Sequence, residues 1–101
     1  MKKIINGKKY NTETATEIAA WSNNVSTSDF GYCYEALYLK RTGEYFLFGE
    51  GGPMSKYAES CGDCIGWGES IIPLSVSAAK RWAERLLDGD EYERIFGEVE
   101  E

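Results

Sequence analysis

The stretch YEALYLKRTGEYFLFG, residues 34–49, decides the fold of this chain. Its two halves, YEALYLK (34–40) and EYFLFG (44–49), are rich in aromatic and bulky apolar residues, a composition typical of β-strands. The short Gly-containing segment 41–43 lies between them and predicts a hairpin. Because apolar residues fall on both faces of the first strand, we expect this hairpin to occupy the centre of an antiparallel sheet.

Towards the amino terminus, KKIINGKKYN predicts a smaller hairpin with strands near 2–5 and 8–10. Asn6 and Gly7 are the preferred pair for a two-residue turn, since both positions need a positive φ.

A helix is predicted next, near 14–23. Thr14 and Glu17 have the spacing of a capping box, Thr-x-x-Glu. One face at helical spacing carries Ala15, Ile18, Ala19 and Ser22. The Ser-, Thr- and Asn-rich residues 22–31 then predict a surface loop.

On the carboxyl side, residues 49–69 hold six of the eleven glycines and predict a long irregular segment, with a helical turn near 54–60. SIIPL (70–74) predicts a short strand at an edge or a strand end, because Pro73 cannot donate a ladder hydrogen bond. Ser75 is expected to cap a helix over 76–87, and Asp90 a last helix over 91–96. Gly89 is expected to end the first of these helices.

These elements predict the α+β class. We expect one domain over residues 1–101, with a small antiparallel sheet of about four to five strands. One helix would lie at the amino-terminal side and two at the carboxyl-terminal side.

The charge is negative overall and polarised along the chain. The net charge is −6, with four lysines in residues 1–9 and seven acids against Arg94 in residues 88–101. Phosphates repel such a chain and basic surfaces attract it, so a protein partner is expected and direct binding of nucleic acid is not. Plain solubility is the alternative explanation of the acidity.

The amino-terminal lysines leave a second possibility open. The pairs Lys2–Lys3 and Lys8–Lys9 flank one hairpin and are able to form a basic patch for nucleic acid, with Tyr10 as a stacking partner. The alternative is that they protect a strand edge from pairing. The sequence has no long apolar run and no signal-peptide pattern, so we expect a soluble cytoplasmic protein without membrane contact.

The chemistry-bearing residues argue against catalysis. The chain has no His, which removes Ser-His-Asp and Cys-His pairs and the commonest general base. Cys61-Gly62-Asp63-Cys64 has knuckle-like spacing, but only Cys33 is left as a further thiolate for zinc. A redox pair and loop cysteines without chemistry are the alternatives. We expect no enzymatic activity and no cofactor.

The Gly-rich half holds the candidate partner-binding residues. Aromatic side chains in an irregular loop are good anchors for a protein interface, although they also serve to pin a loop to the core. Nearby acids would meet a basic partner. The predicted contacts are Glu50, Tyr57, Glu59, Trp67 and Glu69.

Several stretches resemble one family of small proteins encoded on phages, plasmids and conjugative elements of Gram-positive bacteria, many of them Firmicutes. The stretches are MKKIINGKKYNTETA, ALYLKRTGEYFLFGEGGPMSKYAES, ESIIPLSVSAAKRWAERLL and DEYERIFGEVEE. Such a setting implies a role against host defence, and some small proteins of this kind are anti-CRISPRs. The resemblance therefore implies a non-enzymatic inhibitor that binds a basic surface of a CRISPR effector. The alternative is a DNA-binding or accessory regulatory protein of the mobile element.

Overall fold

The chain folds as an α+β protein with three antiparallel sheets. The structure is a computed structural model that describes residues 1–101, except for the side chain of Cys61. The main sheet has the strand order β3-β4-β5-β8, and the pairs β1–β2 and β6–β7 form two small hairpins. The elements in chain order are β1 (Lys2–Ile5), β2 (Lys8–Asn11), β3 (Thr16–Ser22), β4 (Cys33–Leu39), β5 (Tyr45–Gly51), β6 (Glu59–Cys61), β7 (Cys64–Gly66), β8 (Gly68–Leu74), α1 (Val76–Leu86) and α2 (Gly89–Phe96).

The central position of β4 and β5 is confirmed, and alternation along them gives the main sheet two different faces. The helix face carries Leu37 and Leu47, which are buried together with Trp82 and its neighbours in α1. The open face carries the alternate residues of the same two strands, so Tyr34 and Ala36 of β4 pair there with Glu50 and Phe48 of β5.

The open face is covered at one end only. There the β1–β2 hairpin places Tyr10 in a buried cluster with Phe46 and Ile71. The turn between β1 and β2 has the expected backbone, with positive φ at Asn6 and Gly7.

The predicted amino-terminal helix is wrong, because residues 16–22 form β3 at an edge of the main sheet. A β-bulge between Glu17 and Ala19 shifts the register. It lets the consecutive residues Ile18 and Ala19 both pack against the helix-face core, which imitates the spacing of an amphipathic helix. Thr14 does not cap a helix but forms a turn, in which its backbone N–H donates to the Asn11 carbonyl at 3.3 Å.

The segment 49–69 is more ordered than its glycines predict. It contains the β6–β7 hairpin, in which Cys61 and Cys64 are backbone partners. Gly62 adopts a φ of 65° in the turn, so Cys61-Gly62-Asp63-Cys64 is the turn of a hairpin. Residues 53–57 form turns and a bend, with no helix, and β6 begins at Glu59.

Both carboxyl-terminal helices are present. The Ser75 hydroxyl accepts from the Ala78 N–H at 3.1 Å and caps α1 as predicted. The last helix starts earlier than expected, because Asp88, and not Asp90, accepts from the Glu91 N–H at 2.8 Å. Gly89 consequently opens α2 and does not end α1. Within the residues that the structure describes, neither helix is long and apolar enough to cross a membrane.

Candidate functional site

The two ends of the main sheet differ in what they expose. The turn end comprises residues 40–44, which join β4 to β5. The loop end comprises residues 29–32 and 52–58 and Trp67. There the Met54 N–H donates to the Phe30 carbonyl at 2.7 Å and the Gly52 N–H to the Tyr32 carbonyl at 2.9 Å. These bonds hold two loops together beside the start of β4.

The loop end presents large apolar side chains to solvent. Phe30 is 64% exposed, Met54 77% and Trp67 44%. The Trp67 ring stacks on Tyr32, with centroids 5.6 Å apart and planes 14° from parallel. Aromatic residues and Met are enriched in protein interfaces, so this group has the composition of a contact surface.

Two carboxylates lie beside this apolar group on the open face. Glu50 of β5 and Glu69 of β8 are direct cross-strand partners. Side chains in such pairs are about 5 Å apart at Cβ, and two like charges there destabilise a sheet. Burial, and then the charge of Glu69, raises the pKa of Glu50. A local conflict of this kind is typical of a functional surface.

A third carboxylate, Glu17, also lies on the open face. We call Glu17, Glu50 and Glu69 together the acidic surface. The Tyr34 hydroxyl donates to Glu17 Oε1 at 3.1 Å. Burial, and then the charge of Glu17, raises the pKa of Tyr34 to about 12, so this phenol stays protonated near neutral pH. Across the described side chains, the ion pairs involve Glu35, Glu44 and Glu91, and none involves the carboxylates of this acidic surface.

The structure brings three of the five predicted contact residues together and separates two. Glu50, Glu69 and Trp67 lie at or beside the loop end on the open face. Tyr57 was predicted as a contact, but it is 7% exposed and packs its ring against Gly49 on the helix face. Glu59 is exposed, yet its side chain lies over Gly68 on the same helix face, away from Glu50.

Tyr57 points inward to a buried carboxylate that was not predicted from the sequence. Glu35 is fully buried, and it accepts hydrogen bonds from the Tyr57 hydroxyl and from Trp82 Nε1 at 3.0 Å. Lys56 Nζ lies 2.7 Å from Glu35 Oε2. Burial alone raises the pKa of Glu35, but the bonds from Lys56, Tyr57 and Trp82 outweigh it and leave the pKa lowered.

This carboxylate fixes the loop end to the core. It joins the loop carrying Lys56 and Tyr57 to β4 and to Trp82 of α1. The signal for it was present in the sequence, because Glu35 lies two residues before Leu37 and therefore on the same face of a central strand. A charge at such a position is rare unless it is paired.

Three glycines of the helix face allow the loop to approach this closely. A Cβ on Gly49 would collide with the Tyr57 ring, one on Gly51 with Ser55, and one on Gly68 with the Tyr57 carbonyl. We call these three residues the glycine floor. It explains why so many glycines occur around a segment that is nevertheless well packed.

The two cysteine side chains that the structure describes differ in exposure. Cys33 is buried at the start of β4, where burial and then the charge of Glu35 raise the pKa of its thiol. Cys64 is exposed, and the Cys61 side chain lies outside the described part of the chain. Among the described residues, no three acidic, His or Cys side chains are grouped to hold a metal ion.

Comparisons with family models, with curated proteins and with solved structures find no significant match to this chain.

Proposed function

We propose that this chain is a non-enzymatic inhibitor that uses the loop end and the adjoining acidic surface to bind a basic surface of a protein partner. The observation that carries this proposal is the position of unpaired carboxylates beside exposed aromatic and apolar side chains. The proposed contact residues are Phe30, Tyr32, Glu50, Met54, Trp67 and Glu69.

The physical basis is complementary charge around an apolar centre. Trp67 would supply a buried anchor of the interface, since Trp residues are enriched among those that contribute most of the binding free energy. Met54 would add apolar contact area. A lysine or arginine of the partner placed between Glu50 and Glu69 would relieve their repulsion. The stacked rings of Tyr32 and Trp67 also offer π-faces to an arginine.

The proposed partner is a CRISPR effector nuclease, and the chain would be an anti-CRISPR protein of a mobile genetic element. Two points support this choice. The sequence stretches quoted above resemble proteins of such elements, and a CRISPR effector holds its guide duplex in a positively charged channel. An acidic domain bound in such a channel would exclude nucleic acid.

The first experiment tests the partner. We expect the wild-type protein to restore plasmid uptake in a CRISPR-active Firmicutes strain, and the purified protein to bind the guide-loaded effector. Failure to bind or inhibit any member of a panel of effectors would rule out the anti-CRISPR proposal.

The second experiment tests the surface. Glu50→Lys/Glu69→Lys should weaken binding about 100-fold, because two attractive charges become repulsive. Trp67→Ala should weaken it by about 2 kcal/mol through loss of an anchor. Glu84→Lys/Glu98→Lys makes the same charge change elsewhere and serves as the matched control. Equal weakening by the control would show that net charge, and not the loop end, determines binding.

A further inference from the structure

The turn end carries a groove between the β1–β2 hairpin and the turn that joins β4 to β5. It encloses about 510 Å³. Four cationic side chains and one carboxylate line it, together with Asn11, Ala15 and the hydroxyl residues Thr14 and Thr42. The charged residues are Lys8, Lys9, Lys40, Arg41 and Glu44.

The groove is positively charged, although the protein as a whole is acidic. The net charge of its lining residues is +3, whereas the net charge of the whole chain is −6. Lys2 is the backbone partner of Asn11 and adds a further cation on the hairpin. Glu13 and Glu17 are the nearest further acids along the chain and partly offset it.

Only some of these cationic side chains form ion pairs within the protein. Lys8 and Lys40 both pair with Glu44, at 2.7 Å and 3.0 Å. Lys9 and Arg41 are exposed and take part in no ion pair among the described side chains. They are therefore free to meet an anion without breaking an existing contact.

The groove is suited to phosphates and not to bases. Tyr10, the expected stacking partner, is only 5% exposed, packs edge-on against Phe46 and is covered by Lys40 Nζ at 4.1 Å from its ring centroid. Without an accessible ring, bases have no platform on which to stack. The lysines, the arginine and the threonine hydroxyls are instead the usual donors to phosphate oxygens.

We infer that this groove binds the phosphodiester backbone of a nucleic-acid strand without reading its base sequence. The overall negative charge does not prevent this. Glu50 and Glu69 lie near the other end of the strands, about 20 Å away at about 3.3 Å per residue. That distance exceeds the Debye length of about 8 Å at physiological salt, so the groove cations dominate the local field. The inference concerns a different surface and does not depend on the proposed protein partner.

The test measures binding of the 101-residue chain to fluorescein-labelled oligothymidylate by anisotropy over a range of salt concentrations. We expect saturable binding at low salt of about 0.05 M, where the Debye length of about 14 Å is still shorter than the distance to Glu50 and Glu69. A plot of log affinity against log salt should have a slope of about −2, as for roughly three phosphates of a single strand. Oligoadenylate should bind within about twofold of oligothymidylate, since the bases are not contacted.

Variants locate the binding to the groove. Lys9→Glu/Arg41→Glu should lower the affinity at least about tenfold. The matched control, Arg81→Glu/Arg85→Glu, makes the same charge change on α1 and should retain most of it. Circular dichroism checks that both variants fold.

Three results would overturn the inference. They are the absence of saturable binding by the wild type at low salt, an equal loss in the control variant, and displacement of the oligonucleotide by polyglutamate as effectively as by unlabelled oligonucleotide.

Discussion

The two ends of the main sheet use their charges in opposite ways. At the turn end, Glu44 accepts hydrogen bonds from Lys8, Lys40 and Thr42, so the surface carboxylate is fully engaged within the protein. At the loop end, the buried carboxylate of Glu35 is engaged, while Glu50 and Glu69 on the surface face one another. Glu44 and Glu35 are thus engaged within the fold, whereas Glu50 and Glu69 take part in no ion pair among the described side chains.

The largest effect is expected from Glu35→Gln, which removes the charge that joins the loop to the core. Two hydrogen bonds and an ion pair are weakened in a buried site, so the free energy of unfolding should fall by about 2–4 kcal/mol. Urea unfolding at neutral pH measures this. Glu84→Gln, on the exposed side of α1, should change it by less than about 0.5 kcal/mol. Equal effects of the two substitutions would contradict the proposed role of Glu35.

The same variant predicts a pH dependence. Because the pKa of Glu35 is lowered in the folded state, its charge stabilises the fold fully above the ordinary value of 4.5. That stabilisation is lost as the pH falls from 4.5 through the folded pKa. The difference in stability between the wild type and Glu35→Gln should therefore narrow below pH 4.5. A constant difference down to strongly acidic pH would show that the folded and unfolded pKa values are alike.

A smaller effect is expected from the glycine floor. Gly68→Ala would place a Cβ against the Tyr57 carbonyl, and overpacking of this kind costs about 1–3 kcal/mol. Gly66→Ala is the matched control, because a Cβ at Gly66 meets no atom within 4 Å. Thermal unfolding of both variants compares them. If Gly66→Ala destabilised the protein as much, the close approach of the loop would not be the cause.

The smallest effect is expected at the turn end. Hydrogen bonds from Lys8, Lys40 and Thr42 lower the pKa of Glu44 to about 2, so its contribution to stability is present above 4.5 and is lost as the pH falls towards 2. In Lys8→Met this pKa should rise towards its ordinary value, as followed by carbon NMR of the carboxyl group. Lys2→Met should leave it unchanged. Exposed pairs contribute little to stability, so the melting temperature should hardly move.

Much of the fold could be predicted because the relevant signals are local. The bulky strands around residues 41–43, the Asn6-Gly7 turn and the Ser75 cap each follow from a few adjacent residues. The strand 16–22 could not be predicted, since the bulge that makes Ile18 and Ala19 share one face depends on pairing with β4. The capping-box spacing at Thr14 and Glu17 wrongly indicated a helix, and tertiary strand pairing overrode that local preference.

Only part of the candidate site could be predicted from the sequence. Glu50 and Glu69 were identified as acids near a loop, but their direct opposition depends on the register between β5 and β8. Tyr57 and Glu59 were grouped with Glu50 and Glu69, but they lie on the helix face, because nothing adjacent in sequence shows that the loop crosses that face. Phe30 and Met54 were missed, since their proximity is created by a backbone hydrogen bond between distant loops.

The attachment of the loop to Glu35 and to the glycine floor also has a kinetic consequence. In the proposed complex, the loop end is already fixed to the core before the partner binds, so no loop has to become ordered during association. The association rate would then be set by diffusion and long-range electrostatic steering, and changes at the contact residues would act mainly on the lifetime of the complex.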